Sequence, residues 1–144
     1  MLGPIAAENH YSLLEREAER DVIPACERFG LGLLPYFPLA NGLLTGKYHR
    51  DTEPPATARL AGRTRLLADA PWDRIEKLRA FAEERGVPMA TVAIGWLAAQ
   101  RPVGSVIAGA TTPEQAVANA GAAQWHPTPD DLRLLDEICP PGRR

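Results

Sequence analysis

Two stretches of the chain combine residue types that bind anions. Residues 112–115 (TPEQ) read as a helix start, with a hydroxyl cap, a proline in the first turn and a glutamine that could complete a capping box. The free N–H groups and the dipole at such a start attract negative charge. The segment 39–47 has glycines that allow close backbone approach and one cation, Lys47. Either could hold a phosphate; the alternatives are that Gln115 only caps its helix and that Lys47 is simply solvated.

Alternating strands and helices must position these stretches. Short apolar runs predict strands at 5–8, 31–36 and 103–107, and apolar periodicity predicts helices at 14–29, 72–85 and 88–100. Two threonine-proline starts, at 112 and 128, predict two more helices. Residues 37–48 are expected to form a loop with about one helical turn, and 50–62 a polar loop. This order predicts parallel βα units, either as a small open sheet or as the last part of an eight-unit barrel.

Composition excludes several classes of protein. The chain has 144 residues, enough for one domain, and its net charge of −2 gives no basic surface for nucleic acid. Its two cysteines form no CxxC or Cys/His grouping, so we expect no metal site. No signal peptide and no membrane-spanning run is recognisable, so the sequence predicts a cytoplasmic protein with no membrane partner.

Three segments carry a family resemblance. Residues 8–16 (ENHYSLLER) are similar to the pattern QNxYSLLxR, residues 36–48 (YFPLANGLLTGKY) to YxPLAxGLLTGKY, and residues 106–119 to VIPGATxPEQxxEN. In this order and spacing, they resemble the segments after the sixth, seventh and eighth strands of aldo-keto reductases. The resemblance implies a partial (β/α)8 TIM barrel, about the last three βα units plus a C-terminal helix. Residues 1–144 would then be the C-terminal part of an NADP-dependent oxidoreductase domain.

The resemblance also implies a nicotinamide dinucleotide site, for NADP with NAD not excluded. Glu8 and Tyr36 would meet the nicotinamide, which could stack on the ring of Tyr36 unless that tyrosine is buried with its hydroxyl hydrogen-bonded. Residues 39–47 would meet the pyrophosphate, and the loop and helix after the last strand would meet the adenosine. An arginine that covers the cofactor in the family corresponds loosely to Arg59. The full set of implied cofactor-binding residues is Glu8, Tyr36, Pro38, Leu39, Lys47, Gly109, Thr111, Gln115 and Asn119.

The chain departs from the family pattern at both ends of that site. Glu8 stands where the family usually has a glutamine, and an ionised carboxylate accepts hydrogen bonds but cannot donate them. Phe37 replaces a usual serine, and Ala118 replaces a usual glutamate near the adenine. Gly109 and Thr111 occupy positions where some relatives have a lysine or arginine for the 2′-phosphate. The preference between NADP and NAD therefore stays open.

No residue of the chain matches the family's catalytic Asp, Tyr, Lys and His, which lie on its second to fourth strands. We expect those residues to precede Met1, so the chain would hold no catalytic residue and be inactive alone. His10 and Tyr11 could suggest an acid–base pair, but neighbours on a strand point to opposite faces, which argues against it.

The leading interpretation is therefore the NAD(P)H-binding part of an enzyme that transfers hydride to a carbonyl. A small carbonyl substrate would bind only once an N-terminal part completes the site. The alternatives are a non-catalytic nucleotide-binding or regulatory module and an inactive truncated product. Open barrel edges near Ile5 and Val106 could also join two copies of the chain.

Overall fold

Two parallel strands form the centre of the fold. The computed structural model describes residues 3–54, 56, 58 and 60–142. Strand β1 (Ala6–His10) pairs with β2 (Gly32–Tyr36), so that Ala6 lies opposite Gly32 and His10 lies opposite Tyr36. The sequence prediction of parallel βα units is confirmed for these two strands.

The third predicted strand, 103–107, is reduced to two isolated parallel bridges. Leu33 bridges to Val103 and Tyr36 to Ile107, and the N–H groups of Gly104 and Ile107 donate to carbonyls of β2 at 3.0 and 2.9 Å. The segment therefore lies beside β2 in the predicted order without forming a continuous ladder. Gly104 is one cause, because a glycine weakens a strand and contributes no side chain to its packing.

Six α-helices in the described part of the chain accompany this sheet. They are α1 (Val22–Phe29), α2 (Thr64–Ala68), α3 (Trp72–Glu84), α4 (Met89–Ala98), α5 (Pro113–Ala122) and α6 (Pro129–Ile138), with 3-10 helices at Glu17–Glu19 and Ala40–Thr45. The two threonine starts behave as predicted. Thr112 accepts a hydrogen bond from the backbone of Gln115, and Thr128 forms a full capping box with Asp131.

The predicted helix 14–29 is wrong in its first half. A tight turn joins Ser12 to Glu15 through two backbone hydrogen bonds, the 3-10 helix follows, and only α1 is α-helical. Pro24 explains where α1 begins, because a proline is tolerated in the first turn of a helix and disrupts its interior. Helix α2 was not predicted, and Arg59 lies outside the described residues.

The helices cover one face of the sheet. Leu33 and Pro35, which point to this face, are buried, whereas Ala6, Glu8 and Tyr36 on the other face are exposed. The core also contains apolar residues of α3, α4 and α6, among them Ile75, Leu78, Val92, Trp96, Leu97 and Leu135. The other face of the sheet therefore remains open for the site described below.

Among the described residues, no helix is long and apolar enough to span a membrane.

We expect Gly95 to be required for the contact of α4 with the segment after α5. A Cβ atom at Gly95 would lie 2.7 Å from the carbonyl oxygen of Trp125 and 2.8 Å from its ring. Gly95→Ala should therefore destabilise the protein by about 1–3 kcal/mol, since added atoms in a packed interface force neighbours apart. The matched control is Gly121→Ala in α5, where a Cβ meets nothing within 4 Å. It should stabilise by up to about 1 kcal/mol through helix propensity. Urea denaturation measures both, and a stable Gly95→Ala variant would contradict this packing.

We also expect the chain to self-associate through its sheet edges. Within the described residues, no strand pairs with the outer edge of β1 or of 103–107. Unpaired edges invite pairing with another chain, and a proline blocks such pairing. Sedimentation at micromolar concentration should show a dimer or larger species that Ser105→Pro disperses. If Val117→Lys on exposed α5 has that effect instead, association uses the helix surface; a monomeric unmodified chain contradicts the expectation altogether.

Candidate functional site

The candidate residues gather at the carboxyl edge of the sheet. His10 and Tyr36 end β1 and β2, and Ile107 bridges to Tyr36 at the same level. The loop 37–48 and the loop 108–112 both leave from this edge. Ligand sites of parallel βα folds lie at this end of the strands, because the loops there converge.

The start of α5 forms the first group, in which two side-chain amides brace the preceding loop. The Gln115 Oε1 atom accepts hydrogen bonds from the Thr111 backbone N–H at 2.9 Å and from its hydroxyl at 3.0 Å. The Asn119 amide donates to the Gly109 carbonyl at 3.2 Å. Gln115 therefore does not complete a capping box, since its side chain accepts from Thr111 and not from the backbone N–H of the cap residue Thr112. It reaches one residue beyond the cap and, with Asn119, holds the loop in position.

The helix start already interacts with an acidic side chain of its own. Hydrogen bonds from the backbone N–H of Glu114 and from the Thr112 hydroxyl lower the pKa of the Glu114 carboxyl. This arrangement agrees with the predicted affinity of a helix N-terminus for anions. It also means that any phosphate approaching this point meets a carboxylate.

The loop 37–48 forms the second group and is anchored in its second half. Thr45 donates its hydroxyl hydrogen to the Gly42 carbonyl at 2.7 Å. From α3, Arg79 donates to the carbonyls of Gly46 and Tyr48 at 3.0 and 2.7 Å. Lys47 lies between these two carbonyls with its side chain exposed, and it forms no ion pair within the described part of the chain. The loop thus presents one cation from an anchored backbone.

Two other predicted residues of this loop face inward. Pro38 is buried, and the half-buried side chain of Leu39 packs against the core. The Leu39 carbonyl accepts from the N–H groups of Gly42 and Leu44 at 2.8 and 3.2 Å. Pro38 and Leu39 therefore shape the loop, and their side chains offer little surface to a ligand.

An aromatic group at the strand ends forms the third part of the site. Tyr36 is 37% exposed, which contradicts the alternative of a buried tyrosine. It stacks on His10, with ring centroids 5.7 Å apart and planes at 16°, and Phe37 meets it edge-on at 5.3 Å. Glu8 is exposed on the same sheet face, two residues before His10. Phe37 joins this group to the loop 37–48, whereas no side-chain hydrogen bond between described residues joins it to the start of α5.

His10 and Tyr11 point to opposite faces, as predicted. Tyr11 is fully buried, and its hydroxyl donates to Glu19 at 2.8 Å. Burial raises the pKa of the Tyr11 hydroxyl far above its ordinary value, and the negative charge of Glu19 raises it further. Tyr11 is therefore a structural residue that cannot exchange a proton with His10.

Sequence reasoning gave no role in the site to two residues, Arg79 and His10. Arg79 carried no signal, because an arginine on an amphipathic helix looks like any solvated residue. His10 could have been found from the period of two along a strand, which puts it on the same face as Glu8. The described residues contain no group of three or more His, Cys, Asp or Glu side chains that could hold a metal ion.

Comparison with known proteins agrees with the sequence motifs. The profile of the aldo/keto reductase family matches residues 1–139. A probable voltage-gated potassium channel subunit beta of Oryza sativa is 37% identical over 96% of this chain, which corresponds to 44% of that protein. An NADH-specific methylglyoxal reductase of Escherichia coli is 31% identical over 90% of this chain and 40% of its own length.

A solved structure supports the same fold. The crystal structure of an aldo/keto reductase from Klebsiella pneumoniae, in complex with NADP and acetate, superposes with a TM-score of 0.67 at 24% identity. The match covers 95% of this chain and 40% of that one, so the fold is part of a TIM barrel. The chain spans less than half the length of the relatives that it matches. Since the family profile covers nearly every residue, the chain belongs to the aldo/keto reductase family, a family of oxidoreductases.

Proposed function

We propose that residues 1–144 are the C-terminal, NAD(P)H-holding part of an aldo/keto reductase domain. The observation that carries this proposal is that three elements lie at one sheet edge: an exposed tyrosine, a loop with an exposed lysine, and a helix start whose amides hold the preceding loop. A bound reduced nicotinamide supplies the hydride in such an enzyme. The residues of this chain would hold and orient that cofactor, and a small carbonyl compound would be the substrate.

The donor set on α5 fits an adenine. The Gln115 Oε1 and Asn119 Nδ2 atoms are engaged with the loop, which leaves the Gln115 amide N–H2 and the Asn119 carbonyl oxygen without a partner among the described residues. These atoms are one donor and one acceptor on the same helix face. An adenine edge presents one acceptor, N7, and one donor, the N6 amino group. The two amides could therefore recognise an adenine without giving up their hold on the loop.

The middle of the cofactor would lie along the loop 37–48. Lys47 is exposed and unpaired within the described residues, so its ammonium group is available to a pyrophosphate. Arg79 donates hydrogen bonds to the two carbonyls that flank Lys47. These carbonyl oxygens are therefore paired with a cation and would repel the phosphates less than free carbonyls would.

Tyr36 and Glu8 would face the nicotinamide end. The exposed ring of Tyr36 suits stacking, whereas the carboxylate of Glu8 can accept a hydrogen bond from a carboxamide but cannot donate one to its oxygen. The adenosine end thus offers the cofactor both a hydrogen-bond donor and an acceptor, whereas Glu8 at the nicotinamide end offers only an acceptor.

The cofactor is NADP in this proposal, with NAD as the alternative. The Klebsiella pneumoniae relative was solved with NADP, and the Escherichia coli relative is described as NADH-specific. At the adenosine end, Gly109 and Thr111 offer no charge to a 2′-phosphate, and Glu114 repels it. Calorimetric titration of the chain with NADPH and NADH tests both cofactors, and binding of neither would refute the proposed function.

Removing the two amides of α5 should weaken cofactor binding more than changing Glu8. Gln115→Ala with Asn119→Ala removes both adenine contacts and releases the loop. Since a hydrogen bond contributes about 0.5–1.5 kcal/mol net, we expect roughly a fivefold to hundredfold rise in the dissociation constant for NADPH. Glu8→Gln should leave that constant unchanged or lower it. Gln124→Ala, at an exposed glutamine beyond α5, is the control. A stronger dependence on Glu8 than on the amides would reverse the assignment.

Arg79 should hold the loop 37–48 in its folded conformation. Arg79→Gln removes two charge-assisted hydrogen bonds to backbone carbonyls, each typically worth about 1.5–3 kcal/mol. We expect trypsin to cut after Lys47 at least roughly tenfold faster, because proteolysis follows the population of the open loop. Mass spectrometry of the fragment ending at Lys47 gives the rate. Lys77→Gln, on the exposed side of the same helix, should leave it unchanged. Equal rates in all three proteins would show that the loop is held by other contacts.

A further inference from the structure

The ring of His10 has a buried polar atom that no hydrogen bond explains. Its Nε2 atom is shielded from solvent and has no partner among the described residues. Buried polar atoms normally have a partner, so the position of this ring is explained by packing and not by a hydrogen bond of Nε2. That packing is the stack on Tyr36, its register partner across the two strands.

Phe37 stands beside this stack and covers neither outer face. Its centroid is 5.6 Å from that of His10 and 5.3 Å from that of Tyr36, and its plane is perpendicular to both, at 82°. A ring lying on the far face of Tyr36 would be about twice as far from His10 as from Tyr36. His10 therefore covers one face of Tyr36 and Phe37 borders one edge, so neither of these rings covers the second face of Tyr36, a residue that is 37% exposed.

From this arrangement we propose that His10 is a positioning residue for the cofactor. It supports the Tyr36 ring from behind, so that a nicotinamide stacks on the opposite face. This inference rests on the proposed function, because it names the residue that orients the stacking platform of that site. His10 touches neither cofactor nor substrate. It acts by restricting rotation of the Tyr36 side chain before the cofactor binds. Without His10, the exposed tyrosine would lose that rotational freedom on binding, and the entropy lost would weaken affinity.

The test compares a ligand that reaches Tyr36 with one that does not. NADPH includes the nicotinamide, whereas adenosine 2′,5′-bisphosphate occupies only the adenosine end. His10→Leu should weaken NADPH binding about two- to tenfold, the value of one aromatic pair, and leave bisphosphate binding unchanged. His10→Phe keeps a stacking ring and should restore NADPH affinity to within about twofold. His126→Leu, at an exposed histidine between α5 and α6, is the matched control.

A double-mutant cycle identifies the route through Tyr36. In a Tyr36→Leu background, His10→Leu should have no further effect on NADPH binding, since the platform is already absent. Additive losses, failure of His10→Phe, or an equal loss of both ligands would overturn the inference. The inference would also be overturned if the unmodified chain bound the bisphosphate as tightly as NADPH. The proposed function would still stand in that case, because the adenosine end of the site would bind its ligand. An unmodified chain that binds neither ligand refutes the proposed function, and the role of His10 falls with it.

Discussion

The buried guanidinium of Arg16 is the interaction on which the rest of the structure depends. It donates to the carboxylates of Glu19 and Asp136 at 2.6 and 2.7 Å and to the carbonyl of Cys139, and it lies 4.9 Å from the ring centre of Trp96. These contacts join the segment after β1 to α6 and α4. Burial would lower the pKa of Arg16, but the hydrogen bonds to the two carboxylates outweigh it and raise the pKa above its ordinary value. A buried charge with its partners in place is tolerated, whereas losing one partner of such a pair typically costs about 3–5 kcal/mol.

This network determines which face of the sheet is left open. Glu19 also accepts hydrogen bonds from the hydroxyl of Tyr11 and from the N–H of Gly142, so the end of the chain folds back onto the turn that follows β1. Since α4 and α6 contact Arg16, the network holds these two helices on the sheet face that carries Leu33 and Pro35. The opposite face and its carboxyl edge keep their exposed residues, and the candidate site occupies that edge.

Local chemistry explains what could be predicted from the sequence. The starts of α5 and α6 are set by a threonine cap and a following proline, and β2 by an apolar run, so each could be located without tertiary information. The break in 14–29 could not, because Arg16 leaves the helical path for partners more than a hundred positions away. For the same reason, the motif residues Gln115 and Asn119 could be placed on one helix face, but their bonds to the loop could not be foreseen.

The strain in the site lies in the segment that follows Tyr36. Phe37, Ala40 and Asn41 have φ values of 54°, 47° and 59°, in the left-handed region that residues other than glycine seldom adopt. Asparagine tolerates this region, but each of the other two costs on the order of 1–3 kcal/mol and persists only where its surroundings determine it. Here the surroundings are the aromatic contacts of Phe37 and the anchors of Arg79 at the far end of the loop. A loop that served only to connect β2 to α2 would have no reason to keep such a conformation. A cofactor that spans Tyr36 and Lys47 would bind more tightly to a rigid backbone between them. The loop would then lose little conformational entropy on binding.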